Sequence, residues 1–241
     1  MRIPQQHLAP LLRIIAGQSP KRVMRQDESL CYPLPEMSGE KFHQRKSENR
    51  GGQMSRSVLY MSMSLDGYIA GPNDTPDNPG GDGFMRLHEW YGEDFHPQGP
   101  AGEVVDEENS YGAIVAGRRT VEQVDHWSGE RNGVRIFVVS HRPPGPSVAN
   151  YPLVTYVTDI VSAMAQAKAE ALERNVLVHG AYTAQRALEA GVLDELQIHL
   201  IPVLFGGGRR LFDVLPSRVE LEIVRVVDTP EATHIRYRVR S

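Results

Sequence analysis

Short apolar runs and alternating stretches, separated by turns, fill the chain from residue 57 onward. The run at 176–178 is wholly apolar, which is typical of a strand covered on both faces. At 219–227 and 233–239 apolar and polar residues alternate on either side of an Asp-Thr-Pro-Glu turn, and this pattern predicts an antiparallel hairpin. The two patterns together favour a mixed sheet over a purely parallel one.

The same patterns predict eight strands and five helical segments. The strands are 57–63, 113–116, 134–139, 153–157, 176–178, 196–203, 219–227 and 233–239. The helical segments are 84–91, 101–110, 117–124, 160–172 and 183–190. Strands that alternate with helices indicate an α/β domain. Within the strand 196–203 we expect Gln197 and His199 to face outward.

Residues 1–53 differ from the rest of the chain. Five prolines interrupt any regular pattern, and 38–53 is polar and charged. Such a segment buries too little apolar surface to offset the entropy lost on ordering. We therefore predict a disordered leader that contributes nothing to folding, followed by one domain over 54–241. Met54 is a candidate for the true start of translation.

The composition excludes several classes of protein. With 40% hydrophobic and 23% charged residues, the chain is typical of a soluble globular protein without a membrane span. A formal net charge of −4 gives no reason to expect nucleic acid as a partner. The one cysteine, Cys31, lies in the leader. The domain therefore has no disulfide, thiolate nucleophile or cysteine metal ligand, which agrees with a cytoplasmic location.

Two predicted strands are each followed by a glycine and then by a predicted helix. Gly180 follows the strand 176–178 after one residue, and Gly117 precedes Arg118 after the strand 113–116. Backbone N–H groups at a helix N-terminus favour phosphate, and glycine lets the backbone approach a ligand closely. Arginine adds a fixed fork of donors suited to phosphate. These residues are candidates for a phosphate site, although a glycine after a strand is also the mark of a plain turn.

Other chemistries find little support. The nine histidines show no His-x-x-x-His or His-Glu-x-x-His spacing, so we expect satisfied or surface histidines rather than metal ligands. No Gly-x-Ser-x-Gly elbow indicates a hydrolase. The glycines at 206–208 precede two arginines, which is not the order of a lysine-containing phosphate loop.

Four segments carry a resemblance to a known family. They are Ser-Met-Ser-Leu-Asp-Gly-Tyr-Ile-Ala-Gly at 62–71, Val-Ala-Gly-Arg-Arg-Thr at 115–120, Val-Val-Ser-His-Arg-Pro at 138–143, and the stretch 180–212, which begins Gly-Ala-Tyr-Thr-Ala. In this order they resemble the C-terminal reductase domain of the bifunctional riboflavin-synthesis enzyme, and more broadly the dihydrofolate-reductase-like superfamily. The resemblance implies an α/β three-layer fold, with a central mixed sheet of about eight strands flanked by helices and a C-terminal antiparallel hairpin.

The resemblance also implies an NADPH site. Arg118 and Thr120 would meet the cofactor phosphates, whereas Ser140 and Arg142 would meet the adenosine 2′-phosphate. The complete implied set of cofactor-binding residues is Ala70, Gly117, Arg118, Thr120, Ser140, Arg142, Gly180, Ala181 and Thr183.

The turn at Gly180 departs from the pattern of the family. Relatives often carry two adjacent glycines after this strand, and here the first place is taken by His179. Close approach of the pyrophosphate, which Gly180 and Thr183 would bind, therefore depends on Gly180 alone.

The activity implied by the resemblance is hydride transfer from NADPH to a C=N or C=O bond of a small heterocycle, similar to dihydrofolate or a pyrimidine. Asp66 would border the nicotinamide and the substrate, and either Asp66 or water would supply the accompanying proton. Glu89 is the candidate carboxylate for holding the substrate, with Asp82 and Glu93 as alternatives.

Three further expectations stay open. A pyrimidine reductase of riboflavin synthesis is one alternative, although the chain has no deaminase signature of the H-x-E and P-C-x-x-C type. A dinucleotide- or flavin-binding module without turnover is another. Related domains commonly pair, and the strand 196–203 and the C-terminal hairpin are apolar at alternate positions, so we predict a homodimer.

Overall fold

The fold is built on a central sheet of eight strands with a small two-stranded ribbon beside it. A computed structural model describes residues 55–92, 97–213 and 215–240. The predicted leader at 1–53 and the candidate start Met54 lie outside these residues. The strands, in chain order, are β1 (Ser57–Ser64), β2 (Tyr68–Ala70), β3 (Ala113–Gly117), β4 (Arg135–Val139), β5 (Val154–Val157), β6 (Val176–His179), β7 (Glu195–Ile201), β8 (Arg209–Arg210), β9 (Leu221–Asp228) and β10 (Thr233–Val239).

The central sheet is mixed, as the sequence predicted. Its strand order is β5-β4-β3-β6-β1-β7-β10-β9, and β2 pairs with β8 in the separate ribbon. The first six strands of that order are parallel, whereas β10 runs antiparallel to both β7 and β9. The C-terminal hairpin therefore extends a parallel sheet at one edge, as expected for the dihydrofolate-reductase-like fold.

Four right-handed α-helices lie among the described residues. They are α1 (Pro100–Asn109), α2 (Arg118–Gln123), α3 (Ile160–Ala171) and α4 (Ala181–Glu189). A single turn at Asp125–Ser128 has positive φ angles throughout, so it is left-handed. No helix in the described ranges is both long enough and apolar enough to cross a bilayer.

The helix predicted at 84–91 is instead two short 3₁₀ helices, Phe84–Leu87 and Glu89–Tyr91. The break lies at His88, whose ring Nδ1 is 3.2 Å from the Phe84 carbonyl oxygen. In an α-helix that carbonyl would accept the backbone N–H of His88. The His88 backbone N–H bonds to the Met85 oxygen instead, which is the tighter 3₁₀ pattern.

One face of the sheet is an apolar core that supports the strands. Leu59 on β1 and Val178 on β6 pack there with the small residues of α3, such as Ala163 and Ala167. Alanines at these positions let α3 lie close to the sheet. The helix predicted at 160–172 is confirmed, and its buried face is made of these alanines with Met164.

The other face of the sheet is apolar near β3 and β4 but carries buried polar residues on β7. Near β3 and β4 it is apolar, with Ile114, Ile136 and Trp127 in a second buried cluster. On β7 it carries Gln197 and His199, which are only 1% exposed. The expectation that both would face outward was wrong, because α1 and the two 3₁₀ helices cover this part of the sheet and shield the positions that alternate with the apolar core.

Candidate functional site

Two glycine turns meet at the carboxyl edge of the parallel strands. One turn joins β3 to α2 and contains Gly117; the other joins β6 to α4 and contains Gly180. A Cβ atom at Gly117 would lie 2.9 Å from Thr183 Oγ1, and one at Gly180 would lie 2.7 Å from Thr120 Oγ1. Each glycine therefore makes room for the threonine of the opposite turn. The edge of an open parallel sheet is where α/β folds bind ligands.

The helix that follows Gly180 presents unpaired polar groups toward this edge. Gly180 has a φ of 94° and precedes α4, whose N-terminus has no side-chain cap. Ala181 is the first residue of that helix and is buried. Thr183 Oγ1 is a buried atom without a hydrogen-bond partner among the described residues. Buried hydroxyls are normally paired, so this one stands out.

Arg118 links the turn after β3 to the turn after β4. Its Nη1 donates to the Pro143 carbonyl oxygen at 2.7 Å, and its Nε donates to Glu122 Oε1 at 2.6 Å. The segment that contains Ser140 and Arg142 is thus held beside α2. The structure brings together the three turns for which the family resemblance implies a cofactor role.

Within the third turn, Ser140 and Arg142 bond to each other. Ser140 Oγ accepts from the Arg142 backbone N–H at 3.0 Å and donates to the Arg142 carbonyl oxygen at 2.9 Å. The serine hydroxyl therefore closes the turn. The side chain of Arg142 is exposed, and its guanidinium has no partner within the described part of the chain.

Asp66 lies at the turn after β1 and fastens a distant loop. Its Oδ1 accepts from Ser64 Oγ at 2.6 Å and from the Phe205 N–H at 3.0 Å, and its Oδ2 accepts from the Gly206 N–H at 2.7 Å. The Ser64 bond, followed by the two backbone bonds, lowers the pKa of Asp66 to about 2 against the partial cost of desolvation. The carboxyl is ionised near neutral pH, which favours a loop-holding role over proton donation.

The long loop 71–83 is attached to α2. Asp74 Oδ2 lies 2.7 Å from Arg119 Nη2, and Asp74 Oδ1 accepts from Gln123 Nε2 at 2.7 Å. The same carboxylate oxygen accepts the Gly80 N–H at 3.1 Å, so the loop is also tied to itself. Ala70, at the end of β2, is buried where this loop begins. No signal in the sequence had singled out Asp74.

Two of the carboxylates considered for the substrate, Glu89 and Asp82, are engaged by other residues of the chain. Glu89 forms a 3.4 Å ion pair with Arg86, and its side chain is 59% exposed. Asp82 accepts hydrogen bonds from the side chains of Asn73 and Asn78, so it orders the loop 71–83. Glu93 lies outside the described residues.

A buried polar chain that sequence reasoning missed begins at His179. Arg131 Nη1 donates to His179 Nε2 at 2.8 Å, and Arg131 Nη2 donates to Glu108 Oε1 at 3.4 Å. Tyr91 donates to the other oxygen of Glu108 at 2.7 Å. Burial, and then the charge of Arg131, lowers the pKa of His179 to about 3. The histidine is therefore neutral and fixed in orientation directly before Gly180.

A second set of buried polar residues lies on the same face of the sheet, across the neighbouring strands β1, β7 and β10. Ser62 on β1 is in register with His199 on β7, and His199 is in register with His234 on β10. We call these three residues the polar row. Trp90 covers them: its Nε1 donates to Ser62 Oγ at 3.0 Å, and its ring centroid lies 4.4 Å from that of His199. The alternation of polar residues in β7 was a signal for this row, but their burial was not predictable from it.

The histidines do not form a metal centre in the described ranges. No group of three or more His, Cys, Asp or Glu side chains there could hold a metal ion. His179 bonds to Arg131, and His199 bonds to His234.

Comparison with known proteins shows which sequences and folds the chain is similar to. The sequence model of the RibD C-terminal domain family matches residues 57–235. A riboflavin biosynthesis protein from a Shewanella species is 23% identical with a TM-score of 0.60, and the match covers 77% of this chain and 99% of that chain. No curated protein sequence matches the chain.

Two further solved structures share the fold. A diaminohydroxyphosphoribosylaminopyrimidine deaminase/5-amino-6-(5-phosphoribosylamino)uracil reductase from Thermotoga maritima is 14% identical with a TM-score of 0.53, covering 78% of this chain and 57% of that chain. Dihydrofolate reductase from Enterococcus faecalis, complexed with NADP(H), is 16% identical with a TM-score of 0.50, covering 78% and 98%. Identities this low establish the common fold, and the chain spans only a little over half of the Thermotoga protein.

Proposed function

The chain belongs to the RibD C-terminal domain family, and from that premise we propose that it is an NADPH-dependent reductase of a small, pyrimidine-like heterocycle. The observation that carries the proposal is the contact between the two glycine turns, Gly117 against Thr183 and Gly180 against Thr120. Two turns of this kind at one edge of a parallel sheet suit a ligand with more than one phosphate group.

The residues at this edge fit a dinucleotide. The buried Thr183 hydroxyl has no partner in the described ranges and is a ready donor. The N-terminus of α4, beginning at Ala181, offers backbone N–H groups without a competing side-chain cap. We assign the pyrophosphate to Gly180, Ala181 and Thr183. The nicotinamide cofactor, when bound, supplies the hydride, and the protein supplies binding and orientation.

Discrimination between NADPH and NADH is assigned to Arg142. Its guanidinium is exposed and unpaired within the described residues, whereas the hydroxyl of Ser140 is used to close the turn. Arg118 is held by Glu122 and Pro143, so we assign it to positioning the three turns around the phosphates with Gly117 and Thr120. Arginine is suited to the 2′-phosphate because its planar fork donates two parallel hydrogen bonds.

The proton that accompanies the hydride is assigned to water rather than to Asp66. The carboxylate of Asp66 accepts three hydrogen bonds, and its pKa is lowered to about 2. A group that is deprotonated at neutral pH is a poor general acid. Ala70 lies four residues after Asp66, at the end of β2. Its backbone forms the start of loop 71–83.

For the substrate, a pyrimidine is favoured over dihydrofolate. The Thermotoga relative is named for the reduction of a ribosylated aminouracil. The carboxylate proposed for a pteridine ring, Glu89, is exposed and paired with Arg86. A dinucleotide-binding module without turnover is the second candidate, because the two glycine turns would suit a bound dinucleotide whether or not turnover follows.

The test is oxidation of NADPH, followed optically, with 5-amino-6-(5-phosphoribosylamino)uracil derivatives, dihydrofolate and a simple carbonyl compound as alternative substrates. We expect turnover with the pyrimidine class. Turnover of dihydrofolate alone would move the assignment to the folate class. Tight NADPH binding with no turnover on any compound would favour the module.

We also propose that the protein is a cytoplasmic homodimer. The edge strand β9 pairs only with β10 in the sheet and exposes Ile223, Val224 and Val226. An apolar edge strand is a ready template for pairing with another copy of itself. The alternate apolar positions of β7, which we had also considered for pairing, lie in the apolar core, where Leu196 and Ile198 are at most 4% exposed.

A further inference from the structure

A cavity of about 310 Å³ lies between the end of α1, the C-terminal hairpin and the ends at which the parallel strands begin. Two of its lining residues, Arg56 and Asn175, directly precede β1 and β6, and a third, Glu195, is the first residue of β7. None of the described residues assigned to the cofactor lines it. We call it the amino-edge cavity, because the glycine turns lie at the carboxyl edge of the same strands.

Both carboxylates of the amino-edge cavity are already engaged by arginines. Glu107 accepts from Arg225 through both of its oxygens, at 2.7 and 2.6 Å, and from Arg236 Nη1 at 3.3 Å. Glu195, whose side chain is 2% exposed, accepts from Arg56 Nη1 at 2.7 Å and from Arg236 Nε at 2.8 Å. Every carboxylate oxygen therefore has a charged partner, and a ligand that donates hydrogen bonds would have to compete with these arginines.

Several hydrogen-bond donors around the same cavity have no acceptor. Arg56 Nη2, Arg225 Nε and Arg236 Nη2 have no partner within the described part of the chain. Asn175 Oδ1 accepts the backbone N–H of Arg56 at 3.3 Å. Because that partner is a donor, the amide orientation is fixed and the NH₂ group of Asn175 is left unpaired.

Tyr60 adds a buried donor to this set. The residue is only 3% exposed, and its hydroxyl oxygen accepts from Arg236 Nη1 at 3.3 Å. Burial, as the largest cause, raises the pKa of Tyr60 to about 12, so the hydroxyl keeps its proton at neutral pH. That proton has no acceptor among the described residues. Buried polar groups are normally satisfied, so an acceptor inside the cavity would complete this one.

Charge and size narrow the class of ligand. Three arginines and two glutamates line the cavity, which leaves one positive charge in excess. The guanidinium group presents its donors as a planar fork that matches carboxylate and phosphate. The volume of about 310 Å³ is at the lower end of the range for small-molecule sites, roughly 300–1,000 Å³. The cavity therefore suits a small anion rather than a cation or an apolar compound.

We propose that the amino-edge cavity binds a small organic oxyanion, whose carboxylate or phosphate groups accept hydrogen bonds from the unpaired donors. Ionised oxyanions accept hydrogen bonds and donate few or none, so they complement a site in which the acceptors are used and the donors are not. Asn175 and Gly180 are five steps apart along β6, which is roughly 16 Å at about 3.3 Å per residue. The oxyanion is therefore a second ligand beside the cofactor, and its binding does not depend on the proposed reductase function.

The first test is calorimetric titration with two probes, citrate and inorganic phosphate. Ionic strength is held constant with potassium chloride, because salt screens exposed charges. Each titration is made with and without NADPH, since either probe could also enter the glycine turns. We expect saturable binding of one equivalent in both conditions, with tighter citrate indicating a carboxylate ligand and tighter phosphate indicating a phosphate ligand. Absence of saturable binding for both probes would overturn the proposal.

Two substitutions change the charge of the cavity in opposite directions. Asn175→Asp keeps the oxygen that accepts the Arg56 N–H but replaces the unpaired NH₂ group with a charged oxygen, and it should weaken the tighter probe at least about tenfold. Glu107→Gln removes a negative charge and should strengthen binding. Loss of structure would weaken binding in both variants. The control is Asn150→Asp, an exposed change of the same charge outside the cavity. Full affinity in Asn175→Asp, or weaker binding in both cavity variants, would contradict the site.

Tyr60→Phe tests the buried donor. The ring and its packing are kept, and Arg236 Nη1 keeps its bond to Glu107. We expect binding that is roughly three- to tenfold weaker, the usual effect of one lost hydrogen bond. Thermal melts without the probe check that the variant is folded. Unaltered affinity in a folded Tyr60→Phe variant would contradict the role of the hydroxyl in the site.

The cofactor proposal and the cavity can fail separately. Probe binding that is lost on saturation with NADPH but survives Asn175→Asp would place the anion at the glycine turns and overturn the cavity site. If the unaltered protein does not bind NADPH, the reductase function is removed, and the titrations without cofactor still decide on the cavity.

Discussion

The Oδ2 atom of Asp66 accepts a hydrogen bond of 2.7 Å from the backbone N–H of Gly206, which joins the turn after β1 to the glycine-rich loop after β7. The pKa of this carboxyl is lowered to about 2, from an ordinary value of 3.8, because its partners stabilise the charged form. The contribution of these hydrogen bonds to the free energy of unfolding is therefore fully present above the ordinary pKa of 3.8. It is lost as the pH falls from about 4 to about 2.

This relationship predicts the behaviour of Asp66→Asn. We expect a lower free energy of unfolding than in the unaltered protein at about pH 7, and a difference that disappears toward about pH 2. Denaturant unfolding at several pH values measures it, with the exposed Asp213→Asn as the control. A variant with full stability but a large loss of kcat would instead identify Asp66 as the proton donor.

Gly180→Ala should disturb both glycine turns. The φ of 94° and ψ of 145° at Gly180 suit glycine almost alone, and the new Cβ would lie 2.7 Å from Thr120 Oγ1. We expect a loss of stability on the order of 1–3 kcal/mol, with NADPH and NADH affinities reduced together. The control is Gly191→Ala, where φ is also positive but no atom lies within 4 Å of the Cβ.

The comparison of these two variants isolates the contact between the turns. If Gly191→Ala costs as much as Gly180→Ala, backbone conformation explains the whole effect. Adding Thr120→Ala to Gly180→Ala should restore part of the stability, because the clashing oxygen is gone. No recovery would contradict the proposed contact.

Arg142→Ala should weaken NADPH and leave NADH nearly unchanged. A hydrogen bond to a charged group contributes about 1.5–3 kcal/mol, which is roughly ten- to a hundredfold in affinity. Calorimetric titration of both cofactors measures the difference, with the exposed Arg218→Ala as the control. Equal losses for the two cofactors would show that the 2′-phosphate binds elsewhere.

Asp74→Ala should release loop 71–83 from α2. Its carboxylate bonds to Arg119, Gln123 and the Gly80 N–H, and these three bonds are lost in the variant. The bond from Arg119 Nη2 to the backbone carbonyl oxygen of residue 74 remains. We expect faster amide hydrogen exchange in the loop, since removal of these bonds favours local opening. Asp77→Ala, an exposed change in the same loop, is the control. Unaltered exchange in the Asp74 variant would mean that other contacts hold the loop.

Charge on the edge strand should prevent self-association. Ile223 is 63% exposed on β9, and a lysine there places charge on the apolar surface proposed for pairing. Light scattering should give a dimer mass for the unaltered protein and a monomer mass for Ile223→Lys. The control is Val161→Lys, an exposed apolar position on α3. A dimer in both variants would place the interface on another surface.

The sequence by itself determined the eight strands of the central sheet and the four α-helices, but not the two 3₁₀ helices at 84–91 or the ribbon of β2 and β8. Apolar runs and alternation located the eight strands, because side chains of a strand alternate between two faces and glycine ends regular structure locally. The motifs around Gly117 and Gly180 indicated the family. These patterns lie within single elements, so they can be interpreted without knowing what each element packs against.

Tertiary structure alone decided which polar residues are buried together. Alternation showed that Gln197 and His199 share a face of β7, but not that α1 and Trp90 cover that face. The partnership of His199 with His234 depends on the register between β7 and β10, which joins residues 35 positions apart in the sequence. Likewise Asp66 gives no local sign that its carboxylate holds residues 139 and 140 positions away. Burial and hydrogen bonding between distant segments are fixed by the packing of the whole chain, and those contacts set the chemistry of the site.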